Sequence, residues 1–229
     1  MNVIVANLQA VRARIAAAAK EAGRQPREVT LIAVSKAFPA DMIARACGAG
    51  QAAFGESYVQ EALDKMDALA ALPLEWHFIG PIQSNKTRLI ATHFQWVHSI
   101  DRARVAERLA AARPAAMPAL DVCLQVNVSG ETTKSGVDPV AAPTLARLIA
   151  GLPRLRLRGL MAIPRPTADL KQQHRQIARV RELKDEITAS GIPLDTLSMG
   201  MSDDLEAAIA EGATMVRVGS AIFGQRQKP

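Results

Sequence analysis

Short apolar runs alternate with longer amphipathic stretches along nearly all of this 229-residue chain. The runs fall at 30–35, 52–55, 76–80, 96–100, 120–128, 155–163, 196–199 and 214–218. Helical patterns at 39–50, 56–71, 83–93, 101–113, 139–151, 167–190 and 202–212 follow them in turn. One more helix, 2–23, precedes the first run; Gly23 closes it and Pro26 lies just beyond. A run such as 31–34 (LIAV) is apolar on both faces, as strands of a parallel sheet covered by helices are. An open doubly wound sheet would carry a Gly-rich turn after its first strand, and 33–39 (AVSKAFP) contains no glycine. Eight strand–helix units of roughly 25 residues therefore predict an α/β fold: a single (β/α)8 barrel over 1–229, with an extra N-terminal helix. The scarcity of aromatic residues, 3%, suits an interior filled by branched aliphatics.

Composition narrows the function classes. The net charge of +6 comes from 28 basic and 22 acidic residues. Many of the arginines (Arg12, Arg14, Arg45, Arg102, Arg104, Arg108, Arg147) stand singly along helices, as on a solvated surface. No nucleic-acid recognition motif accompanies them, so no nucleic-acid partner is expected. Cys47 and Cys123 lie far apart without metal-type spacing and read as small core residues in a reducing compartment. His77, His93, His98 and His174 show no paired ligand spacing, so no metal is expected. No stretch reaches the roughly 18 apolar residues of a membrane span. Arg12 and Arg14 break the only N-terminal apolar run, so a signal peptide is not expected either. The expectation is a cytoplasmic protein.

Active sites of such barrels lie at the C-terminal ends of the strands. Lys36 ends the first strand; it either snorkels to solvent or, partly desolvated near a cation, serves as a Schiff-base amine. The segment 198–202 (SMGMS) precedes a helix for which Ser202 is a natural N-cap, and Gly200 allows close backbone approach. Taken alone it is either a capped turn or an anion site. The segment 217–224 (RVGSAIFG) closes the eighth strand with Gly219 and Ser220 as further donors. Loops after strands seven and eight often hold phosphate in this fold, and the two segments together point to a phosphate-bearing ligand. Arg217 either points into the mouth or pairs at the surface. Ser57, His77 and Met161, also near strand ends, extend the candidate pocket, although a histidine inside an apolar strand is more often structural.

The blocks 33–36 (AVSK), 54–61 (FGESYVQE), 76–86 (WHFIGPIQSNK), 98–102 (HSIDR), 124–127 (LQVN), 159–164 (GLMAIP), 197–204 (LSMGMSDD) and 214–224 (TMVRVGSAIFG) resemble, in this order, the pyridoxal phosphate homeostasis protein family. The resemblance covers essentially the whole chain. It implies a fold-type III barrel without the second β-domain of racemases, and pyridoxal 5'-phosphate (PLP) as cofactor. It implies Lys36 as the Schiff-base lysine, phosphate held around Ser198, Met199, Gly200, Ser202, Gly219 and Ser220, and Arg217 facing the pyridine nitrogen. Arginine stays protonated, so such a ring nitrogen would remain an acceptor and PLP a weak electron sink. The family usually has asparagine where this chain has Ser57, and Lys134 matches a lysine usual in the family. The implied role is to buffer or deliver PLP, with PLP-dependent apo-enzymes as partners and a monomeric barrel as carrier. The rival is a fold-type III enzyme such as an amino-acid racemase. Racemisation by two bases needs an acid/base group on each face of the substrate, for which Tyr58 and His77 are the candidates beside Lys36.

Overall fold

The structure is a computed structural model that describes residues 3–131 and 135–225. Its eight parallel strands close into a barrel in chain order. They are β1 (Thr30–Val34), β2 (Ala53–Glu56), β3 (Glu75–Phe78), β4 (Trp96–Ile100), β5 (Leu120–Gln125), β6 (Leu155–Met161), β7 (Thr196–Ser198) and β8 (Met215–Val218). Around them run α1 (Val3–Glu21), α2 (Ala40–Gly48), α3 (Val59–Ala68), α4 (Thr87–His93), α5 (Ala103–Ala112), α6 (Ala142–Ala150), α7 (Leu170–Ala189), α8 (Leu205–Ala210) and α9 (Ser220–Phe223). Closure is set by β1, whose Ala33 pairs with Phe54 on one side and Val218 on the other.

The expected strands and helices all form, most with tighter bounds, while β2 ends one residue later and β3 begins one residue earlier than expected. The run 120–128 ends as a strand at Gln125, and Val126 keeps its amide bond to the Met161 carbonyl and an isolated bridge to Val137. Apolar residues past a strand end are thus spent on the mouth, not on the ladder. The helix expected from residue 202 starts at Leu205 with Asp204 at its N-cap, which corrects the assignment of Ser202 to that role. Asp204 Oδ1 accepts the Met201 amide at 2.6 Å, closing a turn that delays the helix. The four-residue α9 was not expected; its sequence is too short to show a helical period.

Alternation along the strands sorts side chains between two environments. Outward residues such as Phe54, Trp76, Phe78, Val97, Leu124 and Val216 join one large apolar layer beneath the helices. Inward residues Ile32, Ala53, Trp96, Cys123, Met161 and Met215 form a small lumen cluster. A Cβ on Gly159 of β6 would lie 1.8 Å from the Thr196 carbonyl oxygen, so only glycine lets β6 and β7 pair there. At the N-terminal end of the strands, Asp121 is ion-paired with Arg156 and Arg158, and Arg158 also pairs with Asp195 and lies over the Trp96 ring. The extra helix α1 packs on α2, α8 and α9, covering the seam where the first and last units meet, and buries Ile4, Leu8, Val11 and Ile15. Among the described residues no helix is long and apolar enough to cross a membrane.

Candidate functional site

The C-terminal strand ends open onto a cavity of about 380 Å3 lined by Val34, Lys36, Ile79, Ile163, Met201, Ser202, Asp203, Arg217, Gly219 and Ser220. Five residues singled out in the sequence (Lys36, Ser202, Arg217, Gly219, Ser220) therefore meet around one space. A larger hollow of about 580 Å3 shares Met201 and Asp203 with it, but its walls come mainly from 164–170 and include no lysine.

Lys36 continues the inward face of Ile32 and Val34 and is half-buried. It occupies the first corner of a turn that the Phe38 amide closes on the Ser35 carbonyl at 3.0 Å. The second corner, Ala37, has φ of +65°, the signature of a type II turn, which favours glycine there. For alanine this conformation costs about 1–2 kcal/mol. The cost is offset by the Ala37 amide, which donates to Glu61 Oε1 at 2.6 Å. A hydrogen bond to a charged group contributes about 1.5–3 kcal/mol. Behind the turn, buried Lys65 Nζ donates to the Ser35 carbonyl and to Glu56 Oε1, both at 2.8 Å, and to Glu61. Glu56 also accepts the Ser35 hydroxyl at 2.6 Å. Desolvation by burial raises the Glu56 pKa, and Lys65 opposes that rise.

Arg217 enters the cavity from β8 with its guanidinium almost wholly buried. Nη1 donates to the Ser198 carbonyl (2.6 Å) and hydroxyl (2.7 Å), and Nη2 to the Ala162 carbonyl at 2.9 Å. These are neutral oxygens, so the surface ion-pair reading of Arg217 does not hold. Burial lowers its pKa to about 10, which leaves it charged at neutral pH. Behind it the polar groups form a string whose sense can be deduced. The Ser198 hydroxyl accepts from Arg217, so its own proton goes to His98 Nδ1, 2.8 Å away. His98 then carries its proton on Nε2 and donates to His77 Nδ1 at 3.0 Å. His77 in turn presents Nε2–H to Glu75 Oε2 across 3.4 Å, long for a hydrogen bond, and that nitrogen makes no shorter one among the described residues. Both imidazoles are fully buried, and desolvation pushes their pKa values down, His98 well below the ordinary range. The Glu75 carboxyl is held below its ordinary range, chiefly by His77. The string thus runs from a fixed cation at the mouth to a carboxylate at the opposite end of the barrel through two neutral histidines.

The two segments expected to bind an anion present fewer groups to the cavity than the sequence implied. The Met199 amide is taken by the Met215 carbonyl (3.1 Å) and that of Met201 by Asp204. The Ser198 side chain is buried behind Arg217 and does not line the cavity. Gly200, with φ of +95°, has its carbonyl bound by the Arg217 amide at 2.9 Å. A Cβ on Gly200 would lie 2.5 Å from that of Ala208, so this turn requires glycine. Ser202, Gly219 and Ser220 remain at the cavity wall. The amides of Ile222 and Phe223 turn back to the Gly219 carbonyl, whereas those of Ser220 and Ala221 open the helix with no carbonyl of α9 to receive them.

The three subsidiary residues fall elsewhere. His77 lies within the lumen, Met161 belongs to the lumen cluster, and Ser57 precedes α3 without lining the cavity. Lys134 lies outside the described residues. Sequence reasoning did not single out Glu56, Glu61, Lys65, His98 or Asp203 as site residues, and Met201 entered only as part of the segment 198–202. For Glu61 and Lys65 a signal existed: opposite charges at i,i+4 on one helix face, directly after the strand beside Lys36.

Residues 6–227 match the family model described as alanine racemase, N-terminal domain. A pyridoxal phosphate homeostasis protein of Pseudomonas aeruginosa is 60% identical over 226 residues, covering 99% of this chain and 97% of its own length. One of Escherichia coli K12 is 54% identical over 230 residues, covering 99% and 98%. Among solved structures, PipY of Synechococcus elongatus with PLP bound superposes with a TM-score of 0.85 at 38% identity, over 96% of this chain and all of that one. The alanine racemase of Corynebacterium glutamicum shares the fold alone, at 19% identity and a TM-score of 0.73, over 98% of this chain and 61% of that one. The barrel, the lysine at its rim and these relatives agree: this chain belongs to the pyridoxal phosphate homeostasis protein family, within the wider group defined by the alanine racemase N-terminal domain.

Proposed function

We propose that this chain binds PLP covalently through Lys36 and serves PLP homeostasis by holding and releasing the cofactor. The observation that carries the reading is the meeting of Lys36, Arg217, Ser202, Gly219 and Ser220 around one cavity. The site suits the group chemically. An amine stands on one wall, hydroxyl and amide donors for a phosphate on another, and a buried guanidinium can donate to a ring nitrogen. When bound, PLP supplies an aldehyde whose condensation with the Lys36 amine forms a C=N bond, expels one water, and reverses when water or another amine attacks. Arg217 stays a donor throughout, because a guanidinium with three neutral oxygen acceptors has no reason to lose its proton. Lys36 is half-buried and Ser220 exposed, so water and competing amines have access to the linkage.

The racemase alternative loses ground because its candidate second bases stand away from the cavity: His77 is enclosed in the lumen and Tyr58 is 59% exposed outside it. The reading is therefore of a carrier without strong catalysis, a monomer in the cytoplasm that passes PLP to PLP-dependent apo-enzymes. Borohydride reduction after mixing with PLP, followed by peptide mass analysis, should place one pyridoxyl group on Lys36 and none in Lys36→Ala. Sustained turnover of D- or L-amino acids by the loaded protein would overturn the carrier half of the reading.

A further inference from the structure

We propose that Glu61 and Lys65 on α3 are positioning residues for Lys36, acting through the main chain of the turn that carries it. This rests on the reading of Lys36 as the attachment residue. The turn from Ser35 to Phe38 has its second corner in a backbone region that glycine favours, yet the residue there is Ala37. Something other than intrinsic preference must hold it. Two charged side chains do so, one on each flank of Lys36: Glu61 takes the Ala37 amide at 2.6 Å, and Lys65 grips the Ser35 carbonyl at 2.8 Å. Both sit on α3 four residues apart and bond to each other, so a single rigid helix sets both flanks. Glu56 completes the anchor from β2 by holding Lys65 and the Ser35 hydroxyl. None of the three lines the cavity, so their effect on Lys36 passes through the backbone. Condensation is fast only if the amine arrives at a fixed point relative to a ligand already anchored by its phosphate. A long, flexible lysine side chain gains that from a fixed Cα.

The test uses the full chain and three substitutions around the turn, with Lys36→Ala as a control background. Glu61→Ala removes the acceptor for Ala37, Glu61→Gln keeps an oxygen there, and Ala37→Gly removes the need for one. Apo-protein mixed with PLP is quenched by borohydride at intervals, and pyridoxyl on Lys36 is read by mass. Glu61→Ala should slow attachment about tenfold, equivalent to about 1.4 kcal/mol. Glu61→Gln and the double variant Glu61→Ala/Ala37→Gly should return to within about threefold of wild type, under 1 kcal/mol. Without any cofactor, exchange of the Ala37 amide hydrogen should accelerate in Glu61→Ala and not in Glu61→Gln. Non-covalent PLP affinity in the Lys36→Ala background should be the same with and without Glu61→Ala. The proposal is overturned if Glu61→Ala labels at the wild-type rate, if Glu61→Gln is as slow as Glu61→Ala, or if glycine at 37 gives no rescue. A wild type that takes up no label on Lys36 sinks the functional reading itself, a different result from any of these.

Discussion

The outward and inward faces of the same eight strands follow different chemistry. Outside, beneath the helices, the packing is apolar and continuous, with Phe54, Phe78, Phe94, Leu109 and Leu120 wholly buried. Inside, the apolar cluster counts six residues among the described ones, and a polar string from Glu75 through His77, His98 and Ser198 to Arg217 fills part of what remains. Burying such groups is costly unless each is hydrogen-bonded. The outer layer therefore carries the stability, while the lumen gives some of it up to hold a guanidinium beneath the mouth.

That contrast can be broken experimentally, beginning with its largest expected effect. Phe54→Ala, which hollows the outer layer beside Trp76, should cost about 3–5 kcal/mol in denaturant unfolding. His98→Phe, similar in bulk but unable to hydrogen-bond, should cost about 1–3 kcal/mol by stranding the Ser198 hydroxyl and His77 Nδ1. It should also weaken PLP binding modestly, because the Ser198 hydroxyl, one of three acceptors on Arg217, is no longer fixed by His98. If His98→Phe costs as much as Phe54→Ala, the division of labour between the two faces is wrong.

The pH dependence sharpens the same point. Both lumen histidines have folded pKa values below their unfolded ones, chiefly through burial. Between the two values the unfolded chain binds more protons than the folded one. Stability is therefore fully present above the unfolded pKa of about 6.5 and falls as the pH drops below it, by up to about 1.4 kcal/mol per pH unit for each histidine. Unfolding curves at pH 7.5, 6.5 and 5.5 should show this slope, and His98→Phe should reduce it. Smallest of all, Arg179→Ala should change stability by less than about 0.5 kcal/mol, since its ion pairs with Glu182 and Glu186 are roughly half exposed.

The barrel was legible because continuous apolar runs such as 31–34 recur at a spacing that only parallel strands with helical returns satisfy. Lys36, Gly219 and Ser220 were legible because they stand where a strand ends in this fold. The inner layer was not. Ser198 and Ser202 look alike in SMGMS, yet one faces the lumen behind Arg217 and the other the cavity, because the chain leaves the sheet between them. His98 sits in an apolar run, and its partner Ser198 is 100 residues away. Lys65 is an ordinary helical lysine by sequence; its burial depends on carboxylates brought to it by β2 and its own helix. Side-chain facing at a strand end depends on local exit geometry, which hydrophobic periodicity does not encode.

The seam covered by α1 bears on how the chain reaches this state. Strand β1 needs β8 as a neighbour, and α1 needs α8 and α9. During synthesis the first strand and first helix must wait, one edge unpaired and one apolar face bare, until residues 205–223 emerge. Ring closure is then the longest-range event in folding and should set its pace, as non-local pairing generally does.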